Sequence, residues 1–312
     1  MAKPKPGRVS RSGKGGGSAS TARLVGWGLV MLLVGLGLGL LVSQQGCNRK
    51  AKGKLLPEEV PTARPNKPEP KPAKPEPKAT TAPPKATHPE PQPDLPRLTV
   101  IIDDLGYAAP ELVTRLVAQP ISFTVAVLPY QEFTRESAEI AFKAGKEVIL
   151  HLPMEGRAEK DSGPEALKFD LSERELRART RKALKDVPYI KGANNHMGSR
   201  MTADHERMRW ILEEFKGKKL FFVDSRTTKD TVAMEVAQGL GLPTAQRNVF
   251  LDDDKSFVEI EKQWERALAL AKKDGFAIAI GHIYPETVEA LEKLIPAAKG
   301  KVTFVRAGDA VR

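Results

Sequence analysis

The 312-residue chain carries 50 lysines and arginines against 39 aspartates and glutamates, a formal charge of +11, which would suit a nucleic-acid partner if the excess lay on a folded surface. It lies elsewhere: 34 basic residues face 33 acidic ones from Arg97 onward, while the first 96 residues hold 16 against 6, so no nucleic-acid partner is expected. The single cysteine, Cys47, excludes an intramolecular disulfide.

Residues 1–23 are rich in Gly, Ser, Lys and Arg, too polar to bury a core and suited to a cytoplasmic leader beside acidic lipid. Residues 24–42 carry no charge and are dominated by Leu, Val and Gly. At ~1.5 Å per residue they reach roughly 28 Å, close to the hydrocarbon thickness of a bilayer. The run exceeds the ~7–15 apolar residues of a cleaved signal, which predicts a retained single-pass anchor. The longer basic leader assigns the N-terminus to the cytoplasm and the rest of the chain to the periplasm or extracytoplasmic space. Residues 43–96 follow, and from about Ala51 to Pro96 they alternate Pro with Lys, Glu and Ala, as in Lys67-Pro68-Glu69-Pro70-Lys71-Pro72. With almost no large apolar side chain to bury, they are expected to be a disordered, polyproline-like linker.

Residues 97–312 have ordinary globular composition and a length at which α/β barrels occur as one domain. Apolar, strand-like runs recur at 98–102, 121–128, 147–152, 189–194, 220–223, 245–251, 276–280 and 302–305. Between them stand helical signals. Pro110 and Pro285 fit first-turn positions. Ser172 with Glu175 and Ser256 with Glu259 read as capping boxes. Met208, Ile211, Leu212 and Phe215 mark one buried helical face. Fully apolar strands alternating with helices imply a parallel sheet covered by helices, and seven or eight repeats favour a (β/α) barrel of about seven strands.

The strand ends carry the chemistry. A buried strand cannot run on through two carboxylates without a large desolvation cost, so the first run stops at Asp103. Where the pleat breaks, Asp103 and Asp104 can turn into one mouth, and Gly106 permits the tight exit. The third run ends in His151 and Glu155, the fourth in Asn194-Asn195-His196, the fifth in Asp224-Ser225, the sixth in Asp252-Asp253-Asp254 and the seventh in Gly281-His282. In a parallel barrel these ends share the face on which barrel enzymes act, so three of the five histidines and several aspartates converge on one mouth.

Other polar residues have ordinary readings. His205 falls on the surface of the Met208 helix, and His88 sits in the linker. Asp253, Asp254 and Lys255 read as a solvated turn, leaving Asp252 as the candidate of that trio. Ser199 and Ser225 lack the Gly-x-Ser-x-Gly context of a nucleophile elbow, and no phosphate loop follows a strand. Nucleotide chemistry is therefore not expected.

In Ile101-Ile102-Asp103-Asp104-Leu105-Gly106, His151-Leu152-Pro153-Met154-Glu155, Asn194-Asn195-His196-Met197-Gly198-Ser199, Phe222-Val223-Asp224-Ser225 and Gly281-His282 the chain resembles the divergent polysaccharide deacetylases, a branch of the NodB-homology carbohydrate esterases. The resemblance spans 97–312. It implies a NodB-like (β/α) barrel in which the first Asp of the pair, Asp103, is the general base and the second, Asp104, binds a divalent metal. Ordinary members supply two further ligands from His-x-x-x-His, whereas here His151 is followed four residues on by Glu155. His196, at the next strand end, is the nearest replacement, so the implied ligands are Asp104, His151 and His196, with Glu155 the fallback.

Two neutral imidazoles and a carboxylate suit Zn²⁺ with an open position, which lowers the pKa of water towards ~7 and polarises an amide carbonyl. Asp103 would take the water's proton and His282 would protonate the departing amine. Asp224 would orient a histidine or the substrate, and Asn195 and Glu155 would contact substrate. The implied substrate is an N-acetylated envelope polysaccharide. The alternative is a barrel that has lost catalysis and binds an envelope glycan or protein partner, for which the missing second histidine of the motif speaks. A glycosidase is disfavoured because adjacent carboxylates cannot straddle a glycosidic bond at the ~5–9.5 Å that its two classes require.

Overall fold

The computed structural model describes residues 95–158 and 161–312. The predicted leader 1–23, the span 24–42 and all but the last two residues of the linker 43–96 lie outside them. Among the described residues, no helix is long and apolar enough to cross a membrane.

Among the described residues, nine strands form one sheet: β1 (Arg97–Leu105), β2 (Thr124–Val127), β3 (Glu147–Met154), β4 (Gly192–Met197), β5 (Phe221–Asp224), β6 (Thr244–Gln246), β7 (Val249–Phe250), β8 (Phe276–His282) and β9 (Thr303–Val305). Every ladder is parallel, in the order β6-β5-β4-β3-β2-β1-β8-β7, and β9 pairs with the first residues of β1. Parallel strands need covered faces, which is why their sequences are nearly uninterrupted apolar runs. Seven helices supply the cover: α1 (Pro110–Val117), α2 (Thr134–Lys143), α3 (Glu173–Asp186), α4 (His205–Glu213), α5 (Ala233–Gly239), α6 (Phe257–Asp274) and α7 (Pro285–Ala297). Leu116, Ala141, Leu176, Ile211, Val236, Trp264 and Leu291 from these helices join outward strand residues such as Val100, Leu150 and Phe222 in the main core.

A second, smaller core lies on the other face of the sheet. It joins Ile101, Ile149, Phe221, Val223, Ala245, Ile278 and Ile280. Side chains of β5, β6 and β8 share this one core although the strands stand far apart in sheet order, so the sheet curls into a half-barrel. The run 245–251, read from sequence as one strand, is two. The Arg247 N–H donates to the Asp224 carbonyl and the Asn248 N–H to that of Ile278, so the chain changes partner between these residues. Its first half extends β5, its second half extends β8, and no ladder joins β6 to β7. The pairing path therefore holds eight strands, open at one seam, rather than about seven in a complete barrel.

The lower end is stoppered by the last residues. Ala307 N–H donates to Thr124 Oγ1 (2.9 Å), Gly308 N–H to Glu147 Oε1 (3.0 Å), and Arg312 exchanges backbone hydrogen bonds with Thr244. A Cβ on Gly308 would stand 2.5 Å from Glu147 Oε2, so the plug passes where only glycine fits. Burial raises the Glu147 carboxyl above its ordinary range, against the hydrogen bonds that it accepts. The strand ends at the opposite rim remain free to form a site.

Candidate metal centre

Alternation along the strands decides which side chains reach that rim. Ile101, Ile149 and Ile280 belong to the inner core, and one inner step further on their strands come Asp103, His151 and His282. On β4, in register with β3, the inner positions are Asn194 and His196. Asp104 should by alternation face outward. Instead its φ is +65° and the β1–β2 register slips between Ile102 and Leu105, which turns its carboxylate to the same side as that of Asp103. A left-handed backbone is tolerated by Asp better than by most residues.

Three atoms meet there. Asp104 Oδ1 stands 3.2 Å from His151 Nε2 and 3.1 Å from His196 Nδ1, and the two nitrogens are 3.1 Å apart. Burial opposes ionisation of Asp104, but the two neighbouring rings outweigh it and hold the carboxyl well below its ordinary range. Yet Oδ1 is buried and accepts no hydrogen bond.

The protons on His151 can be placed from its partners. Asp103 Oδ1 accepts from Asn194 Nδ2 (2.8 Å), which leaves Asn194 Oδ1 to accept from His151 Nδ1 (2.7 Å). With its proton on Nδ1, neutral His151 presents a lone pair at Nε2 to Asp104. Two imidazole nitrogens and an orphaned carboxylate oxygen that converge in this way fit a divalent cation. Tetrahedral zinc with bonds of ~2.0–2.1 Å sets its ligand atoms roughly 3.3 Å apart, close to these separations. His151 is 2% exposed, His196 and Asp104 about a fifth, so the group opens to solvent on one side. Asn194, to which the sequence reading gives no role, is the bridge that fixes His151. Its signal was its position two residues before His196 on an alternating strand.

Asp103 is buried beside this group, its Oδ2 3.7 Å from His151 Nε2. Burial raises its carboxyl above the ordinary range, against the pull of His151 and His282. His282 lies in register with Asp103 on the neighbouring strand. Its Nδ1 is 2.9 Å from Asp252 Oδ1, its backbone N–H donates to Oδ2 (2.6 Å), and Thr287 Oγ1 donates to the same oxygen (2.7 Å). Burial would lower the pKa of His282, but Asp252 and then Asp103 and Asp104 push it up to about 9. Asp252 is thus the carboxylate that orients a histidine.

Three predicted site residues take other places. Asp224 faces outward and accepts from Arg226 N–H and Thr231 Oγ1 (both 2.8 Å) in the turn leading to α5; no histidine is among its partners. Alternation on β5 sets it there, with Val223 inside. Asn195 is 1% exposed and its amide bridges the Met197 carbonyl and the Ser225 N–H, so it braces the backbone and presents no surface to the mouth. Glu155 pairs with Arg200 (2.6 Å) and accepts from Phe169 N–H. It stands outside the three-residue group, because β3 ends at Met154 and Glu155 has left the inner face.

A family profile described as divergent polysaccharide deacetylase matches residues 100–311. Among curated proteins, YibQ of Escherichia coli (strain K12), an uncharacterized protein, is 38% identical over 211 residues, 68% of this chain and 66% of that one. An uncharacterized protein of Haemophilus influenzae (strain ATCC 51907 / DSM 11121 / KW20 / Rd) is 34% identical over 196 residues, 63% and 70% of the two chains. The matched region thus spans about two thirds of each relative. Among solved structures, uncharacterized protein ATU2773 of Agrobacterium tumefaciens C58 superposes with a TM-score of 0.66 at 18% identity, covering 69% of this chain and 89% of that one, a likeness of fold. The chain belongs to the divergent polysaccharide deacetylase family.

Proposed function

We propose that this divergent polysaccharide deacetylase is an active, metal-dependent hydrolase that removes acetyl groups from an N-acetylated envelope polysaccharide. The observation that carries the reading is the convergence of Asp104, His151 and His196 within 3.1–3.2 Å of one another, with the buried base Asp103 and the half-buried acid His282 nearby. Two imidazoles favour a borderline ion such as zinc over magnesium or calcium. Such an ion supplies a Lewis acid that polarises the acetyl carbonyl and lowers the pKa of water.

The chain's own residues then divide the proton transfers. Asp103, whose carboxyl burial makes more basic than usual, accepts a proton from the attacking water as its oxygen bonds to the acetyl carbon. His282, held protonated by Asp252, gives a proton to the amine nitrogen as the carbon–nitrogen bond breaks. Asn194 keeps Asp103 and His151 in place. In this reading residues 24–42 hold the domain on the outer side of the cytoplasmic membrane, where such a glycan lies.

The test is acetate release from acetylated envelope glycans by the purified, metal-loaded full-length chain. Asp103→Asn should keep the metal and lose on the order of 10²–10⁴ in rate, the usual loss with a general base. If the wild type holds metal and releases no acetate from any such glycan, the binding barrel becomes the better account.

A further inference from the structure

Where the chain passes from β6 to β7 the curled sheet is open, and a cavity of about 370 Å³ stands there, within the ~300–1,000 Å³ of small-molecule sites. Arg247, Phe250, Asp253, Asp254, Glu259 and Arg266 are among the residues that line it. It adjoins the group already described, because the Phe250 ring meets the His282 ring edge to face at 5.2 Å. The Arg247 guanidinium lies over the same Phe250 ring, its Cζ 4.8 Å from the centroid.

The charges in the cavity are unbalanced. Arg247 Nε donates to the Ser225 carbonyl (2.6 Å) and Nη2 to the Arg226 carbonyl (2.9 Å), and among the described residues no carboxylate pairs with it. One side of the guanidinium is thereby fixed, while Nη1 keeps both its protons free. Burial disfavours the Arg247 charge, and Asp103 and Asp224 offset that only from beyond contact distance. Arg266 is exposed and also pairs with no carboxylate among the described residues. Of the three carboxylates in the cavity, Asp254 accepts from the Ser256 N–H (2.8 Å) and Glu259 holds Lys262 (2.8 Å). Asp253 is left alone against two guanidiniums. A half-buried guanidinium that is braced on one side and free along its other edge suits a carboxylate, which it can meet with two parallel hydrogen bonds.

We propose that this cavity binds a carboxylate carried by the glycan, through Arg247, so that the substrate is an acidic N-acetylated polysaccharide. The inference rests on the deacetylase reading and narrows its substrate class. With the Phe250 ring alone between Arg247 and His282, the carboxylate belongs to the sugar that loses its acetyl group or to a neighbouring one. A uronate and a lactyl ether share this chemistry.

Isothermal titration of the full-length chain, metal-loaded and again after chelation, tests this with two pairs of sugars: glucuronate against glucose, and N-acetylmuramate against N-acetylglucosamine. In both states the acid of at least one pair should bind about tenfold more tightly than its neutral partner, and the pair that does so identifies the uronate or the lactyl ether as the source. Arg247→Gln, shown to be folded by circular dichroism, should remove the preference. Asp253→Asn, at an exposed residue, should strengthen it about two- to fivefold at low salt. No preference in the wild type, a preference that vanishes on chelation, or one that survives Arg247→Gln overturns the inference and leaves the deacetylase reading standing. If Arg247→Gln does not fold, an unchanged preference in Asp253→Asn overturns it instead. A preference that behaves as expected in a chain that releases no acetate from any acetylated glycan keeps the carboxylate site and overturns the deacetylase reading.

Discussion

His282 and Asp252 hold the clearest pH signature at the scale of single residues. Because the pKa of His282 is raised from 6.5 to about 9, its pairing with Asp252 contributes stability in full below pH 6.5 and loses it as pH rises through about 9. The stability gap between wild type and Asp252→Asn, followed by denaturant unfolding from pH 6 to 10, should narrow across that window; a gap that does not narrow contradicts the pairing. The same shift keeps His282 protonated at neutral pH, so the deacetylation rate should fall only above about pH 9, and Asp252→Asn should move that limb towards the ordinary histidine value. Asp103, Asp104, His151, His196 and His282 were legible as strand-end residues because period-two alternation names the inner face. Asp224 misled because one position of register on β5 separates rim from outer face. Of the partners that tune the group, Asn194 was signalled only by its place two residues before His196 on an alternating strand and Asp252 only as a polar strand end, and neither signal says which residue it holds.

At the scale of elements, helix signals and strand runs read well where a local rule acts. Pro110 and Pro285 do open α1 and α7, and Met208, Ile211, Leu212 and Phe215 are fully buried. Ser172 and Glu175 form the expected box at α3, but the Ser256 side chain makes no cap bond at α6, where Asp254 Oδ1 holds the Ser256 N–H instead. Ser172→Ala should therefore lower the denaturation midpoint and Ser256→Ala should not, a pair measurable in one denaturant series. The split of 245–251 into β6 and β7 was not legible, since a change of pairing partner leaves no mark on hydrophobicity. Gly192 shows how tightly β4 is seated beneath the site: a Cβ there would stand 2.5 Å from Phe221 Cδ2. Gly192→Ala should cost about 1–3 kcal/mol by unfolding, as overpacking does; a loss within half a kcal/mol would show that the strand is free to shift.

Over the whole molecule, the C-terminal plug and the inner core close the lower end, while the polar residues occupy the other rim. That division follows from the sequence only once the sheet order is known, because Ala307, Gly308 and Arg312 act on residues more than sixty positions away. The near balance of charge from Arg97 onward predicts that this part binds DNA and RNA negligibly at physiological salt. Filter binding of a 97–312 fragment across a salt series checks this, and tight, salt-sensitive retention would refute it.

The convergence of Asp104, His151 and His196 is tested most directly by the metal content of the purified full-length chain, measured by plasma mass spectrometry after exhaustive buffer exchange. The wild type should retain about one equivalent of a divalent transition metal, as should Glu155→Ala and Asp103→Asn, whereas Asp104→Ala, His151→Ala and His196→Ala should each lose it. Full occupancy in His196→Ala together with loss in Glu155→Ala would contradict the ligand set and return Glu155 to the metal.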